Sequence, residues 1–377
     1  MIIGIPKEIK TNEHRIGMTP AGVKELILNG HEVLVQKDGG ASIGFFDADY
    51  AGAGARIVDT PEEIFATADM IIKVKEPQLP ECKLLRPNQI LFTYLHLAPD
   101  PGQAEALIAS GATCIAYETV TQTSGGLPLL APMSEVAGRL SITAGAHHMQ
   151  MLYGGSGMLL GGVPGVEPAK VLIIGGGVVG INAAKMALGL GAQVTLVDRS
   201  IDRLRQLDDI FNGRVRTLFS TADTIEREAL ESQLIIGAVL IPGASAPKLI
   251  SRELVGRLNP GTVMVDVAID QGGCFETSRA TTHQDPTYVI DGVIHYCVAN
   301  MPGAVARTST VALTNATLPF AVALANQGAY EALNQNPHLA NGLNVNAGLI
   351  THVSVAQALG KSYTPWQESF TTGSVAA

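Results

Sequence analysis

Residues 171–198 read VLIIGGGVVGINAAKMALGLGAQVTLVD, and the physics of this stretch sets the fold class. Val171–Gly175 is a run of branched apolar side chains entering a glycine turn, the pattern of a strand buried on both faces. Ile181–Leu190 continues as a helix, Gly191 stops it, and Val194–Val197 resumes extended structure. Gly175, Gly177 and Gly180 have the GxGxxG spacing, and Asp198 closes the next strand about 20 residues on. Gly175 permits the tight turn, Gly177 lets a pyrophosphate approach the backbone, and Gly180 lets the helix pack close on the strand. The helix start at Val178 and Val179 offers free N–H groups and the positive end of the dipole to phosphate. A dinucleotide is therefore the expected ligand. A carboxylate at Asp198 can accept both ribose hydroxyls and repels a 2′-phosphate, which favours NAD, although Arg199 and Arg203 nearby leave NADP open.

Working outward, short apolar runs alternate with amphipathic stretches along most of the chain, which argues for βαβ units and an α/β fold. Met1–Ile5 reads as a strand, Thr19-Pro20 as a helix start, Gly30 as its stop and Glu32–Gln36 as the next strand. That order repeats the helix, glycine stop and Val-rich strand of Gly180–Asp198. Thr60-Pro61-Glu62-Glu63 reads as a capping box, and Met70–Lys75, Ile90–Leu97, Cys114–Val120 and Thr262–Val267 as strands. Ser134–Leu152 and Thr308–Ala325 are long, Ala-rich helical stretches. The pattern predicts two doubly wound, Rossmann-like domains with parallel sheets, joined by these helices, with an active-site cleft between them. Residues 1–129 and 307–377 form a discontinuous substrate domain, and residues 130–306 the dinucleotide domain.

Composition narrows the function. The 377 residues are 46% hydrophobic and 16% charged, enough apolar side chain to offset the entropy of ordering. A net charge of −9 without a basic run gives no phosphate-backbone face, so nucleic acid is not an expected partner. Cys82, Cys114, Cys274 and Cys297 are widely spaced, which reads as reduced thiols of a cytoplasmic protein. MIIGIPKEIK lacks the features of a secretory signal, and apolar runs such as Val171–Gly180 and Leu234–Ile241 fall short of the ~20 residues that span a bilayer. Adjacent His147 and His148 point about 100° apart on a helix and cannot chelate one ion, so no metal is expected.

A hydride transfer needs an anchor for substrate charge and a group that handles the proton. Arg15, between the first strand and the Thr19-Pro20 helix start, can hold a carboxylate bidentately, or be a surface arginine paired with Glu13 or Glu8. Lys73 and Lys75 share one face of their strand; Lys75 is nearer its carboxyl end, and a solvated pair is the alternative. His96 ends the Ile90–Leu97 run, where imidazole exchanges protons near neutral pH or simply packs. Asp266 falls within an apolar strand, whereas Asp270 lies beyond it next to Gly272 and Gly273, as a ligand-facing or merely solvated carboxylate.

These residues resemble one family. Gly4-Ile5-Pro6-Lys7-Glu8, Glu13-His14-Arg15, Lys75-Glu76-Pro77, Tyr94-Leu95-His96-Leu97, Pro132–Gly138, Gly175–Gly180, Asp266–Gly273 and Asn300-Met301-Pro302-Gly303 are together similar to L-alanine dehydrogenases. The resemblance implies NAD-dependent oxidative deamination of L-alanine to pyruvate and ammonia, reversible, in a cytoplasmic homohexamer. It implies carboxylate binding by Arg15 and Lys75, Met133 near the substrate, and catalysis by His96 and Asp270. Cofactor contacts are expected at Ser134, Gly175, Gly177, Val178, Val179, Gly180, Asp198, Arg203, Ser220, Val239, Asn300 and Met301. Arg203 departs from the lysine that the family often carries. The alternatives are the NAD(H)-binding component of proton-translocating transhydrogenase and a non-catalytic NAD-binding protein; the latter gives no reason for Arg15, Lys75, His96 and Asp270 together.

Overall fold

The computed structural model describes residues 1–239 and 246–372, so Leu240 and Ile241 of the predicted apolar run, and the last residues of the tail, lie outside the described residues. The chain divides into two compact units, Met1–Pro132 with Val305–Ala377, and Met133–Ala304. The divisions fall close to the starts of the two long helices, Ala131–His148 and Ala306–Gln335.

In the first unit β1 (Ile2–Ile5), β2 (Glu32–Gln36), β3 (Arg56–Val58), β4 (Met70–Ile72), β5 (Ile90–Thr93) and β6 (Thr113–Ala116) are parallel neighbours in the order 3-2-1-4-5-6. Two late strands, Leu343–Asn346 and Leu349–Ile350, extend the β6 edge antiparallel. Leu34, Ile71, Leu91 and Cys114 of four strands join Ile64, Phe65 and Leu107 of two helices in one core. Thr19 caps Pro20–Leu28 by accepting from the Gly22 N–H. Thr60 caps Pro61–Thr67 in the same way, but the other half of the expected box is missing because the Glu63 carboxylate pairs with Arg56 at 2.8 Å. Both predicted strands at the centre are shorter than expected: β4 stops at Ile72 and β5 at Thr93, so Lys73, Lys75 and His96 all lie beyond strand ends.

The hairpin between the two late strands turns at Ala347 and Gly348, both with positive φ (48° and 82°). A Cβ in the left-handed region costs roughly 1–2 kcal/mol, so Ala347→Gly is expected to stabilise the protein by about 1 kcal/mol and raise the thermal midpoint by about 2–4 °C. Calorimetry of the two proteins checks this; a lower midpoint would show that the Ala347 methyl contributes more through packing than it costs in strain.

In the second unit β7 (Lys170–Ile174), β8 (Gln193–Asp198), β9 (Arg216–Phe219), β10 (Leu234–Gly237), β11 (Val263–Asp266), β12 (Thr287–Ile290) and β13 (Val293–Tyr296) form one sheet in the order 12-13-11-10-7-8-9. Among the described residues, β12 is the one antiparallel strand of this sheet. Val171 and Ile173 pack into a core with Ile142, Ala183 and Ala187, while Leu172 and Ile174 pack on the other face with Ile235, Met264 and Phe275. Burial on both faces is why β7 is apolar at every position after Lys170. The helix Ala131–His148 lies against Val178–Gly189 at Gly138, where a Cβ would sit 2.3 Å from the Val179 carbonyl oxygen. That approach is the local reason for a glycine in Pro132–Gly138.

One helix, Met301–Gln335, is long and apolar enough to cross a membrane by length and composition, which the short-run criterion misses because its Thr, Ser and Asn residues interrupt the apolar runs. Its buried residues include Ser309, Thr310, Thr314 and Thr317. Thr310 and Thr314 accept hydrogen bonds from the Ile16 and Thr19 N–H groups, a use of polar side chains that belongs to a helix packed in a protein core. All four cysteines are buried with free thiols.

Candidate active site

In each unit the sheet reverses its winding between two central strands, β1 and β4 in the first and β7 and β10 in the second. Loops beyond the carboxyl ends of such strands form the crevice where open α/β sheets bind ligands. Arg15, Lys75 and His96 follow β1, β4 and β5, which are sheet neighbours.

Arg15 is no surface residue: it is 2% exposed, and its Nε and Nη2 donate to Glu13 Oε1 and Oε2 at 2.7 and 2.5 Å. Burial works against its charge, but the bonds and field of Glu13 outweigh it and hold the guanidinium pKa above its ordinary value. A cleft of about 360 Å³, lined by Lys7, Glu8, Lys10, Arg15 and Ser42 among others, opens beside it. Lys73 departs from the solvated pair considered above, because it is fully buried and bonds Glu8 Oε2 and Glu81 Oε1 at 2.9 and 2.8 Å. Breaking such a pair costs about 3–5 kcal/mol, so Lys73 is a structural cation. The other Glu8 oxygen accepts from the N–H groups of Val74 and Lys75, at 2.7 and 3.2 Å, and so fixes the backbone that carries Lys75. Lys75 Nζ stands 3.9 Å from Glu76, whose carboxylate also pairs with Lys10.

His96 is held in the left-handed region (φ 48°) in the loop after β5, with its side chain 43% exposed. Its ring stacks on Tyr94 at 5.7 Å and 6°, and Tyr94 Oη donates to the Leu129 carbonyl. Glu118, one turn beyond β6, accepts from the His96 N–H at 2.6 Å and faces Nδ1 at 3.8 Å.

In the second unit, the glycine turn after β7 has the expected geometry. Gly175 has φ 106°, a Cβ at Gly180 would sit 1.9 Å from the Gly175 carbonyl oxygen, and a Cβ at Gly177 would meet open space. No side chain caps the helix that starts at Val178. A dinucleotide phosphate fits this cradle: its glycines leave room where a Cβ would intrude, and helix N–H groups stand at its edge. Asp198, at the end of β8, accepts from the Gly176 and Ser200 N–H groups at 2.7 and 2.8 Å. Arg203 is drawn into this turn, its Nε donating to the Gly176 carbonyl at 2.6 Å and its Nη1 to Gln206, whereas Arg199 is exposed. Ser220, Val239 and Asp270 follow β9, β10 and β11, and Asn300 and Met301 follow β13. Asn300 has φ 62°, and the Met301 side chain belongs to the core with Ala137 and Val265. Met133 and Ser134 lie in the first turn of Ala131–His148, the methionine buried and the serine half-buried.

Asp270 stands exposed on a single helical turn, Ile269–Gln271. Buried Asp266 organises that loop: its carboxylate accepts from the N–H groups of Ala268, Cys274 and Phe275 and from the Ser278 hydroxyl. Burial raises the Asp266 pKa, against the pull of these donors. Lys248 Nζ donates to the Gly272 and Gly273 carbonyls from the other side. Among the described residues no group of three or more His, Cys, Asp and Glu could hold a metal ion.

Residues 4–137 match the family description Alanine dehydrogenase/PNT, N-terminal domain, and residues 141–353 match its C-terminal domain. The chain is 60% identical over 363 residues to the alanine dehydrogenase of Halomonas elongata, covering 96% of this chain and 98% of that one. The chain belongs to the alanine dehydrogenase family. A solved L-alanine dehydrogenase superposes with a TM-score of 0.92 at 50% identity, over 96% of this chain and 99% of that one. The transhydrogenase from Sinorhizobium meliloti aligns over 93% and 99% of the two chains at a TM-score of 0.79 but 24% identity, a likeness of fold alone. Membership in this family makes the protein an oxidoreductase with a nicotinamide cofactor.

Glu118 and Lys248 carry no mark in the sequence, and the structural tasks of Glu8, Tyr94 and Asp266 emerge only in the fold. Glu8 and Tyr94 stand inside motifs of the family, which is a usable signal. Glu118 and Lys248 lie in stretches without a motif, and only folding brings them beside His96 and the Asp270 loop.

Proposed function

We propose that this protein catalyses the reversible, NAD-dependent oxidative deamination of L-alanine to pyruvate and ammonia. The observation that carries this reading is a buried arginine, a lysine and an imidazole beyond the carboxyl ends of three adjacent strands, in a chain 60% identical over 363 residues to an alanine dehydrogenase. Arg15 and Lys75 hold the substrate carboxylate, with Met133 beside the small side chain. NAD, when bound, supplies the hydride acceptor. Gly175, Gly177, Val178, Val179 and Gly180 receive its pyrophosphate, and Asp198 takes the ribose hydroxyls. Ser134, Arg203, Ser220, Val239, Asn300 and Met301 complete its contacts. A fixed carboxylate at Asp198, with Arg203 engaged by the glycine turn, supports NAD over NADP.

Once the substrate carbon is oxidised, water must add to it and the nitrogen must leave. His96 takes the proton of the attacking water and returns one to the departing nitrogen, with Asp270 as the second acid–base group. The assay is NADH formation with L-alanine, D-alanine, other amino acids and no substrate, repeated with NADP. L-alanine and NAD are expected to give the signal, and an alanine-independent protein would overturn the reading. Loss of the ammonium of Lys75 removes a charge-assisted bond, so Lys75→Ala is expected to lower kcat/KM for pyruvate by about 10²-fold. Unchanged steady-state constants would count against the anchor.

The protein acts in the cytoplasm as a homohexamer. Exposed apolar side chains at Met151, Leu152, Leu159, Val163 and Val166 in one segment of the second unit support a surface covered by another copy, and four free thiols fit a reducing compartment. Sedimentation of the purified protein tests the assembly; a monomer would refute it.

A further inference from the structure

The carboxylate of Glu118 is engaged by His96 and its neighbour Leu95. β5 and β6 pair with Thr93 opposite Ala116, so the residues just beyond the two strands emerge side by side. There Glu118 Oε1 accepts from the N–H of His96 at 2.6 Å, and both its oxygens lie 3.2 Å from the N–H of Leu95. Capture of these two donors supports His96 at φ 48°, a conformation that is uncommon for a residue with a Cβ. The same oxygen faces imidazole Nδ1 at 3.8 Å, and Tyr94 lies flat against the ring. The carboxylate thus addresses both the backbone and one edge of the ring, leaving Nε2 as the edge turned away from it.

From this geometry we propose that Glu118 is the positioning residue of His96: it fixes the left-handed loop and favours the tautomer with the proton on Nδ1. The inference rests on the reading of His96 as the acid–base group. When Nε2 takes the proton of the attacking water, the imidazolium that results carries its Nδ1–H toward the Glu118 side chain, and the proton leaves again from Nε2 to the substrate nitrogen. No bond to Glu118 forms or breaks.

Glu118→Gln keeps an oxygen for the two N–H groups and removes the charge, whereas Glu118→Ala removes both. Glutamine is expected to lower kcat for alanine oxidation about 10-fold and alanine about 100-fold, each with KM for L-alanine changed by less than about 3-fold and NADH affinity unchanged. In a His96→Ala background, Glu118→Gln is expected to cost nothing further. Wild-type kcat in both single variants, or a full additional loss on top of His96→Ala, would overturn the inference. An active His96→Ala protein would instead overturn the reading of His96 itself, so the two failures are told apart. Should the alanine variant not fold, the glutamine variant and the double variant decide alone.

Discussion

Replacing His96 by alanine is expected to lower the rate of alanine oxidation on the order of 10³-fold while the NADH dissociation constant stays within about two-fold of wild type. His96 stands in a loop of the first unit, its side chain 43% exposed and its ring stacked on Tyr94, so its replacement removes no side chain from the apolar core. The GxGxxG turn lies in the second unit, and its glycines, its uncapped helix start and Asp198 are untouched by the substitution. The effect should therefore fall on kcat. Stopped-flow NADH formation together with fluorescence titration of NADH separates the two quantities. Retained turnover would remove the imidazole from the chemistry, and with it the purpose assigned to Glu118.

The second large effect is expected at Gly180. A methyl there would sit 1.9 Å from the Gly175 carbonyl oxygen, a backbone atom that cannot swing aside, so Val178–Gly189 must move away from β7. Overpacking of this kind costs about 3 kcal/mol and should lower the thermal midpoint on the order of 5–10 °C, with NADH affinity falling as the helix start shifts. Gly177→Ala is the informative companion. Its methyl meets nothing within 4 Å, so the fold should be kept while the phosphate approach is blocked. NADH binding should drop about 10-fold or more at an unchanged melting temperature. Calorimetry and NADH titration of both variants test this, and unimpaired binding by Gly177→Ala would show that the pyrophosphate does not lie on this turn.

The two sites were legible to different degrees, and the cause is range. The proposed nucleotide cradle is built from one continuous βαβ unit, where strand, glycine turn, helix and Asp198 are neighbours in sequence, so spacing carried nearly all of its geometry. The proposed substrate side is assembled from loops after β1, β4 and β5, and each residue there carried an ambiguity that only its neighbours resolve. Arg15 admitted a surface position, but Glu13 beside it satisfies the charge and lets it be buried. Alternation put Lys73 and Lys75 on one face, with only the position of Lys75 nearer the carboxyl end to tell them apart. Glu8 and Glu81 bury Lys73 between them, whereas Lys75 stays partly exposed beside Glu76.

Helix starts at Thr19 and Thr60 and the glycine stops at Gly30 and Gly191 followed from local chemistry, since a cap or a positive φ involves only three or four residues. The half-formed box at Thr60 shows where that logic ends, because Arg56 on β3 competes for Glu63. Apolar periodicity, caps and glycine spacing, all short-range quantities, thus determined the α/β class, the dinucleotide turn and which side chains were candidates for chemistry. Strand order, the true ends of β4 and β5, the burial of Lys73 and the pairing of Glu118 with His96 were decided by the tertiary structure, because each depends on a partner from another element of the fold whose arrival no local pattern encodes.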